Sequence, residues 1–139
     1  MVNINPVTII AGIFLLAMML FDLKGKKIPA ILGTTGILAC VLLVLWKNPI
    51  SMLFGIAGFI FAYLLYEFGT FQGIADIKAI TLIGLTIASL REFMLFMLLV
   101  GILGVIYHFI FSKVFKIKLQ EDIPLIPMFF LIWMILMLV

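Results

Sequence analysis

Apolar residues fill most of the chain in long uninterrupted stretches, and charged residues, prolines and glycines gather between them. These breaks separate six apolar segments, near residues 5–21, 28–46, 50–68, 76–90, 93–112 and 123–139. Most of them approach the ~20 residues that an α-helix needs to cross the hydrocarbon core of a membrane, and the fourth is the shortest. Because the stretches do not alternate with period two, they predict helices and not the strands of a barrel. The pattern therefore predicts an all-α membrane bundle of about six transmembrane helices.

The composition agrees with a membrane protein. Of the 139 residues, 67% are hydrophobic and 11% are charged, and the mean hydropathy is +1.45. A soluble domain of this length leaves too much surface exposed to hide such a composition, so we expect one membrane domain over residues 1–139. The single cysteine, Cys40, excludes an intrachain disulfide framework and a Cys-x-x-Cys zinc site. Small residues four apart predict close helix packing at Gly36/Cys40, Gly58/Ala62 and Gly84/Ala88.

The basic residues predict how the segments are oriented. The net charge of +3 comes from residues at segment ends, which indicates membrane topology and no nucleic-acid partner. The first and fifth connections carry Lys24, Lys26, Lys27, Lys113, Lys116 and Lys118, and Lys78 follows the third connection, whereas the other two connections carry only Lys47 and Arg91. This asymmetry predicts that the odd-numbered connections lie in the cytoplasm and that both termini lie outside. No basic residue precedes the first segment, so we expect that segment to stay in the mature protein.

Two carboxylates stand at segment ends on the same predicted cytoplasmic face. Asp22 closes the first segment and Asp76 opens the fourth. Carboxylates at the edge of hydrocarbon are costly and are therefore candidates for function. Two carboxylates that share a poorly solvated site also share a proton, so that one activates water while the other acts as an acid. The alternative is that each residue caps a helix or faces lipid headgroups.

The sequence around both acids resembles the type IV prepilin peptidases and archaeal preflagellin peptidases, which are membrane aspartic proteases of the GxGD type. Residues 21–29 (FDLKGKKIP) are similar to the family's first motif, in which an Asp ends the first helix and Ile-Pro follows a short basic loop. Residues 73–78 (GIADIK) are similar to the GxGD-x-K signature. Residues 122–127 (DIPLIP) resemble the start of the family's last helix. The resemblance spans the first segment to the last and is closest to the short archaeal members.

The resemblance implies a membrane aspartic endopeptidase in which Asp22 and Asp76 are the catalytic pair. It implies that Gly73 and Ala75 let the chain turn tightly near the substrate backbone. Lys78 would hold positive charge near the carboxylates or anchor its loop at the cytoplasmic face. The implied partners are type IV pilin-like or archaellin precursors, which are cut between a basic leader and a hydrophobic helix at that face. The resemblance implies no cofactor.

Two positions depart from the family's pattern. Ala75 stands where the signature usually has its second Gly, and Ala30 follows Pro29 where many members have Asn. Alanine preserves close backbone approach but loses the positive-φ conformations that glycine adopts. A non-catalytic scaffold with the family fold is therefore one alternative. A small transporter or channel, in which the Asp residues bind a cation or relay protons, is another.

Other polar residues have weaker claims to a function. Glu67, near the cytoplasmic end of the third segment, is a candidate for binding a basic leader, or it simply extends towards water. His108 stands alone without a metal-ligand partner, so we predict a packed histidine and no metal site. Asp122 is expected to cap the last helix. Four basic residues of the cytoplasmic face are assigned to anionic lipid headgroups: Lys24, Lys26, Lys27 and Lys78.

Overall fold

The computed structural model describes residues 5–25, 27–69, 71, 73–114 and 124–139, and within them it has helices and connecting segments but no strand. Six helices follow in chain order: α1 (Pro6–Leu23), α2 (Ala30–Lys47), α3 (Ile50–Glu67), α4 (Ile74–Thr86), α5 (Leu90–Lys113) and α6 (Ile126–Leu138). The prediction of an all-α bundle built from six segments is confirmed. The bounds of α1, α2 and α3 lie within two residues of the predicted ones.

Four helices, α1, α2, α3 and α5, are long and apolar enough to cross a membrane. Their outward faces carry large apolar side chains, such as Ile31, Leu42 and Val105, which are 75%, 71% and 72% exposed. A continuous apolar surface of this kind is suited to lipid and not to water. α6 is equally apolar but has only 13 residues.

α4 is the enclosed helix of the bundle. It has 13 residues, which gives a length of about 20 Å, less than the ~30 Å thickness of a hydrocarbon core. α1, α2, α3 and α6 all pack against it. Burial therefore covers most of its length and includes Asp76, Ile77, Ala79, Ile80, Thr81, Leu82, Ile83, Gly84 and Leu85. The helix that sequence alone ranked as the shortest span forms the centre of the fold.

The connection between α4 and α5 differs from the prediction. α4 ends four residues before the predicted segment end, and α5 begins three residues before its predicted start. The Ser89 side chain accepts a hydrogen bond from the Glu92 N–H at 3.3 Å, and Glu92 Oε2 accepts one from the Ala88 N–H at 3.0 Å. This pair of caps resembles a capping box and fixes the start of α5. Ile87 and Ala88 continue the apolar run without continuing the helix, which is why hydropathy misplaced the boundary.

Glycines bring α3 and α4 into backbone contact. A Cβ added at Gly84 would lie 2.7 Å from the Phe54 carbonyl oxygen and 3.0 Å from the Gly55 Cα. Gly58 also faces α4. Ala88, which the spacing of four placed on the same helix face as Gly84, lies beyond the end of α4. Close packing was predicted correctly at Gly58 and Gly84, whereas the spacing did not identify the contact at Gly55.

Successive helices run in opposite directions, so α1, α3 and α5 end at the side of the bundle where α2, α4 and α6 begin. We call this side the Asp76 end, because Asp76 lies in the first turn of α4. The other side, where α4 finishes at Thr86, is called the opposite end.

Candidate functional site

Asp76 is a buried carboxylate at the start of the enclosed helix. It lies in the first turn of α4 and is 7% exposed. Its backbone N–H donates a hydrogen bond to the Gly73 carbonyl oxygen at 3.1 Å, and Gly73, at the N-cap position, provides no side-chain cap. The N-terminus of a helix interacts favourably with negative charge. The fold thus holds one acid at the tip of its most enclosed element.

Asp22 lies one residue before the end of α1 and is half-buried. Its Oδ2 atom accepts a hydrogen bond from the backbone N–H of Ile126, the first residue of α6, at 3.0 Å. The next residue, Pro127, has no N–H to satisfy. Asp22 therefore acts as a cap supplied to α6 by a different helix. The sequence assigned this cap to Asp122, which lies outside the described residues.

Asp22 lies on α1, Asp76 lies on α4, and Asp22 bonds to the first residue of α6; these three helices also pack against one another. α1 contacts α4 and α6, and α4 contacts α6. The last turn of α1 and the first turns of α4 and α6 all lie at the Asp76 end. Both predicted catalytic residues, Asp22 and Asp76, consequently lie at one end of the bundle on directly contacting helices.

Lys78 joins the segments that carry the two motifs. Its Nζ atom donates hydrogen bonds of 2.8 Å to the Ala30 carbonyl oxygen and 2.8 Å to Thr34 Oγ1, both in the first turns of α2. Pro29 precedes this turn as its N-cap residue. The lysine stem crosses Gly33, where an added Cβ would lie 2.7 Å from Lys78 Cδ. The ammonium group thus binds α2, whereas the sequence had assigned it to lipid headgroups.

We expect Lys78→Met to loosen the contact between α2 and α4. The variant keeps an apolar stem over Gly33 but loses two charge-assisted hydrogen bonds, and at a half-exposed position this loss costs ~1 kcal/mol of unfolding free energy. Equilibrium unfolding in mixed detergent micelles measures the change. Lys24→Met, at an exposed position just after α1, is the matched control and should leave the unfolding free energy unchanged. Equal stability of the two variants would contradict a bridging role for Lys78.

Neither glycine position of the GxGD-like motif uses a positive φ. Gly73 is extended, with φ −149° and ψ 155°, and Ala75 is a helical residue in the first turn of α4. The conformational freedom of glycine is used instead at Gly25 (φ 64°) and Gly69 (φ 75°), which follow α1 and α3. Their N–H groups bond back to the Asp22 and Tyr66 carbonyls at 3.1 and 3.0 Å, as in helix ends closed by left-handed glycine. Ala75 therefore introduces no backbone strain into this conformation.

Glu67 is the last residue of α3, at the Asp76 end, and its side chain is exposed. Tyr63, one turn earlier, lies beside its carboxylate. The exposed position leaves Glu67 accessible from outside the bundle, and it is not part of the contacts that join Asp22 to α6 or Lys78 to α2.

Two residues at this end were missed by sequence reasoning. The Tyr107 hydroxyl of α5 donates a hydrogen bond to the Pro124 carbonyl just before α6, on the side of the bundle where the Asp22 carboxylate lies. In the sequence, Tyr107 could have been identified as a candidate by its hydroxyl group within an apolar segment. Thr34 gave no such indication, because its partner Lys78 lies 44 positions away.

The fold and its polar contacts define an α-helical bundle of membrane-spanning character with the carboxylates of Asp22 and Asp76 at one end. Comparison of the chain with models of protein families, with curated proteins and with solved structures finds no match.

Proposed function

We propose that this protein is a membrane aspartic endopeptidase that removes the leader from type IV pilin-like or archaellin precursors. The observation that carries the proposal is the buried Asp76 at the tip of α4, at the same end of the bundle as Asp22 on a contacting helix. The resemblance of residues 21–29 and 73–78 to the two motifs of the prepilin peptidases supports the same function. Lys78 adds to it, because its bonds to α2 connect the GxGD-like segment to the helix that follows the first motif.

In the proposed reaction the two carboxylates share one proton. The ionised member takes a proton from water as the water oxygen adds to the scissile carbonyl, and the protonated member donates its proton as the C–N bond breaks. Asp22 and Asp76 take these two roles, and the reaction consumes only water and the peptide bond. The half-buried Asp22 gives water a route to the pair.

The proposed site acts at the cytoplasmic face of the cell membrane, with both termini of the chain outside. This orientation follows from the distribution of basic residues between the connections. A precursor with a basic leader and a hydrophobic helix would present its cleavage site at the depth where helix ends meet headgroups. Glu67, exposed at the same end, is the proposed contact for a basic leader residue.

The test is cleavage by purified protein in detergent or in liposomes. A set of pilin-like and archaellin precursors is incubated with the protein, and mass spectrometry locates any cut. We expect a shortened product cut between the basic leader and the hydrophobic helix. Intact precursors throughout the set, with protein whose helical content is normal by circular dichroism, would overturn the proposal.

A second candidate is a non-catalytic scaffold with the same fold. The hydrogen bond from the Ile126 N–H to Asp22 favours it, because the bond gives Asp22 a structural task that needs no chemistry. In that case Asp22 would be required for stability and the precursors would stay uncut.

A further inference from the structure

A polar cavity of about 610 Å³ opens at the opposite end of the bundle, away from both Asp22 and Asp76. It lies beyond the last turn of α4, which stops at Thr86, and its other walls come from the ends of the longer helices α1, α2 and α5 and from the end of α6. The polar residues that line it come from the helix ends at this side: Asn5, Thr8, Lys47, Asn48, Thr86 and Glu92.

The lining includes the hydroxyl-bearing side chain of Thr8, a residue that is 6% exposed. A hydroxyl can donate one hydrogen bond and accept others, so it can serve a ligand or solvent in the cavity. Asn5 and Asn48 also line the cavity. The Asn5 side-chain oxygen accepts a hydrogen bond from the Val7 N–H at the start of α1, and the Asn48 side-chain nitrogen donates one to the Ser51 hydroxyl.

Charges of both signs reach the cavity from different helices. Lys47 ends α2, and Glu92 lies in the first turn of α5. The two do not form an ion pair with each other in the described structure. One carboxylate oxygen of Glu92 accepts a hydrogen bond from the Ala88 N–H, and its other oxygen can accept a hydrogen bond from a ligand. Such a lining suits a ligand that carries an ammonium group and an anion together.

The position of the cavity matches the depth of a lipid headgroup. Trp46, beside Lys47, is 87% exposed, and tryptophan is enriched at the membrane–water interface. Part of the wall is apolar and comes from the last turn of α6, through Leu136 and Met137. An acyl chain can follow this wall into the lipid around the bundle while the headgroup stays in the cavity.

We propose that this cavity binds the zwitterionic headgroup of a phospholipid, with the phosphate towards Lys47 and the ammonium towards Glu92. Thr8 contributes a hydrogen bond to the headgroup from the wall of the cavity. The proposal does not depend on the peptidase activity, since the cavity and the two acids lie at opposite ends of α4.

The test uses delipidated full-length protein in detergent and native mass spectrometry. Phosphatidylethanolamine is compared with phosphatidylglycerol, which lacks the ammonium, and with glycerophosphoethanolamine, which lacks the chains. We expect phosphatidylethanolamine to bind about tenfold more tightly than phosphatidylglycerol, as the loss of one charge-assisted contact implies. It should also bind more tightly than glycerophosphoethanolamine, which has no acyl chains to bury against the apolar wall. Equal binding of phosphatidylglycerol would overturn the zwitterion assignment, and equal binding of glycerophosphoethanolamine would overturn the lipid assignment.

Three variants locate the site. Lys47→Gln and Glu92→Gln should each weaken phosphatidylethanolamine binding about tenfold, and Glu92→Gln keeps an oxygen for the Ala88 N–H. Thr8→Val removes the hydroxyl and keeps the shape. Lys113→Gln, at the Asp76 end, should bind as the wild type does. Lys47 is exposed, so unchanged binding in Lys47→Gln would overturn the proposal even if Thr8→Val failed to fold.

Discussion

We expect Asp76→Asn to abolish precursor cleavage and to leave the bundle folded. The amide has the shape of the carboxylate but neither takes a proton from water nor donates one to the leaving amine. Loss of a positioned acid or base costs about 10²- to 10⁴-fold in rate. The measurement is the rate of product formation by mass spectrometry, with circular dichroism of the same sample as the check on folding.

Asp22 allows catalysis to be separated from structure. Asp22→Asn loses the acid–base function but keeps an oxygen that accepts from the Ile126 N–H. Asp22→Ala loses both, and removal of the cap should lower the unfolding free energy by ~1 kcal/mol. For the proposed peptidase we expect both variants to be inactive and only Asp22→Ala to be destabilised.

The matched control is Thr35→Val on α2, whose hydroxyl donates a hydrogen bond within its own helix, to the Ile31 carbonyl oxygen at 2.7 Å. We expect it to cleave at the wild-type rate. Full activity in Asp76→Asn would contradict the carboxylate pair. Full activity in Asp22→Asn together with destabilisation of Asp22→Ala would assign Asp22 to capping alone.

The spanning helices were predictable because hydropathy measures burial in either lipid or protein. This is also why the role of α4 was not predictable. Most of its apolar residues face other helices, whereas several of those on α2 face outward, yet Ile80 and Leu42 look alike in a hydropathy plot. The start of α5 did carry a local signal, since Ser89 and Glu92 have the spacing of a capping box.

The candidate site was predictable only in part. The motifs and the alternation of helix direction were sufficient to assign Asp22 and Asp76 to one end of the bundle. The hydrogen bond of Asp22 to Ile126 joins residues 104 positions apart, and that of Lys78 to Ala30 joins residues 48 apart. Such contacts depend on how helices pack, and no periodicity within one helix encodes them. Gly73 has a φ of −149°, which is open to any residue, so its backbone conformation does not require a glycine at this position.

The contact between α3 and α4 predicts a ranking of three glycine-to-alanine substitutions. Gly84→Ala should be the most destabilising, because the new Cβ would lie 2.7 Å from a backbone oxygen of Phe54, and a backbone cannot rotate away. Overpacking of this kind costs about 1–3 kcal/mol. Gly55→Ala should cost less, since its Cβ would meet the Leu85 side chain at 2.5 Å, and that side chain can change rotamer.

Gly101→Ala on α5 completes the series as the control. Among the described residues, nothing beyond the local helix backbone and the two chain neighbours lies within 4 Å of a Cβ at this position, so alanine should be neutral or gain up to ~1 kcal/mol of helix propensity. Equilibrium unfolding of all three variants in mixed micelles gives the ranking, and equal stabilities would contradict the backbone contact. Because α4 carries Asp76 at its other end, displacement of the helix at Gly84 should also reduce precursor cleavage. Gly101→Ala should leave cleavage at the wild-type rate. A lower rate in Gly84→Ala alone would show that the position of the buried Asp76 depends on the glycine contact between α3 and α4.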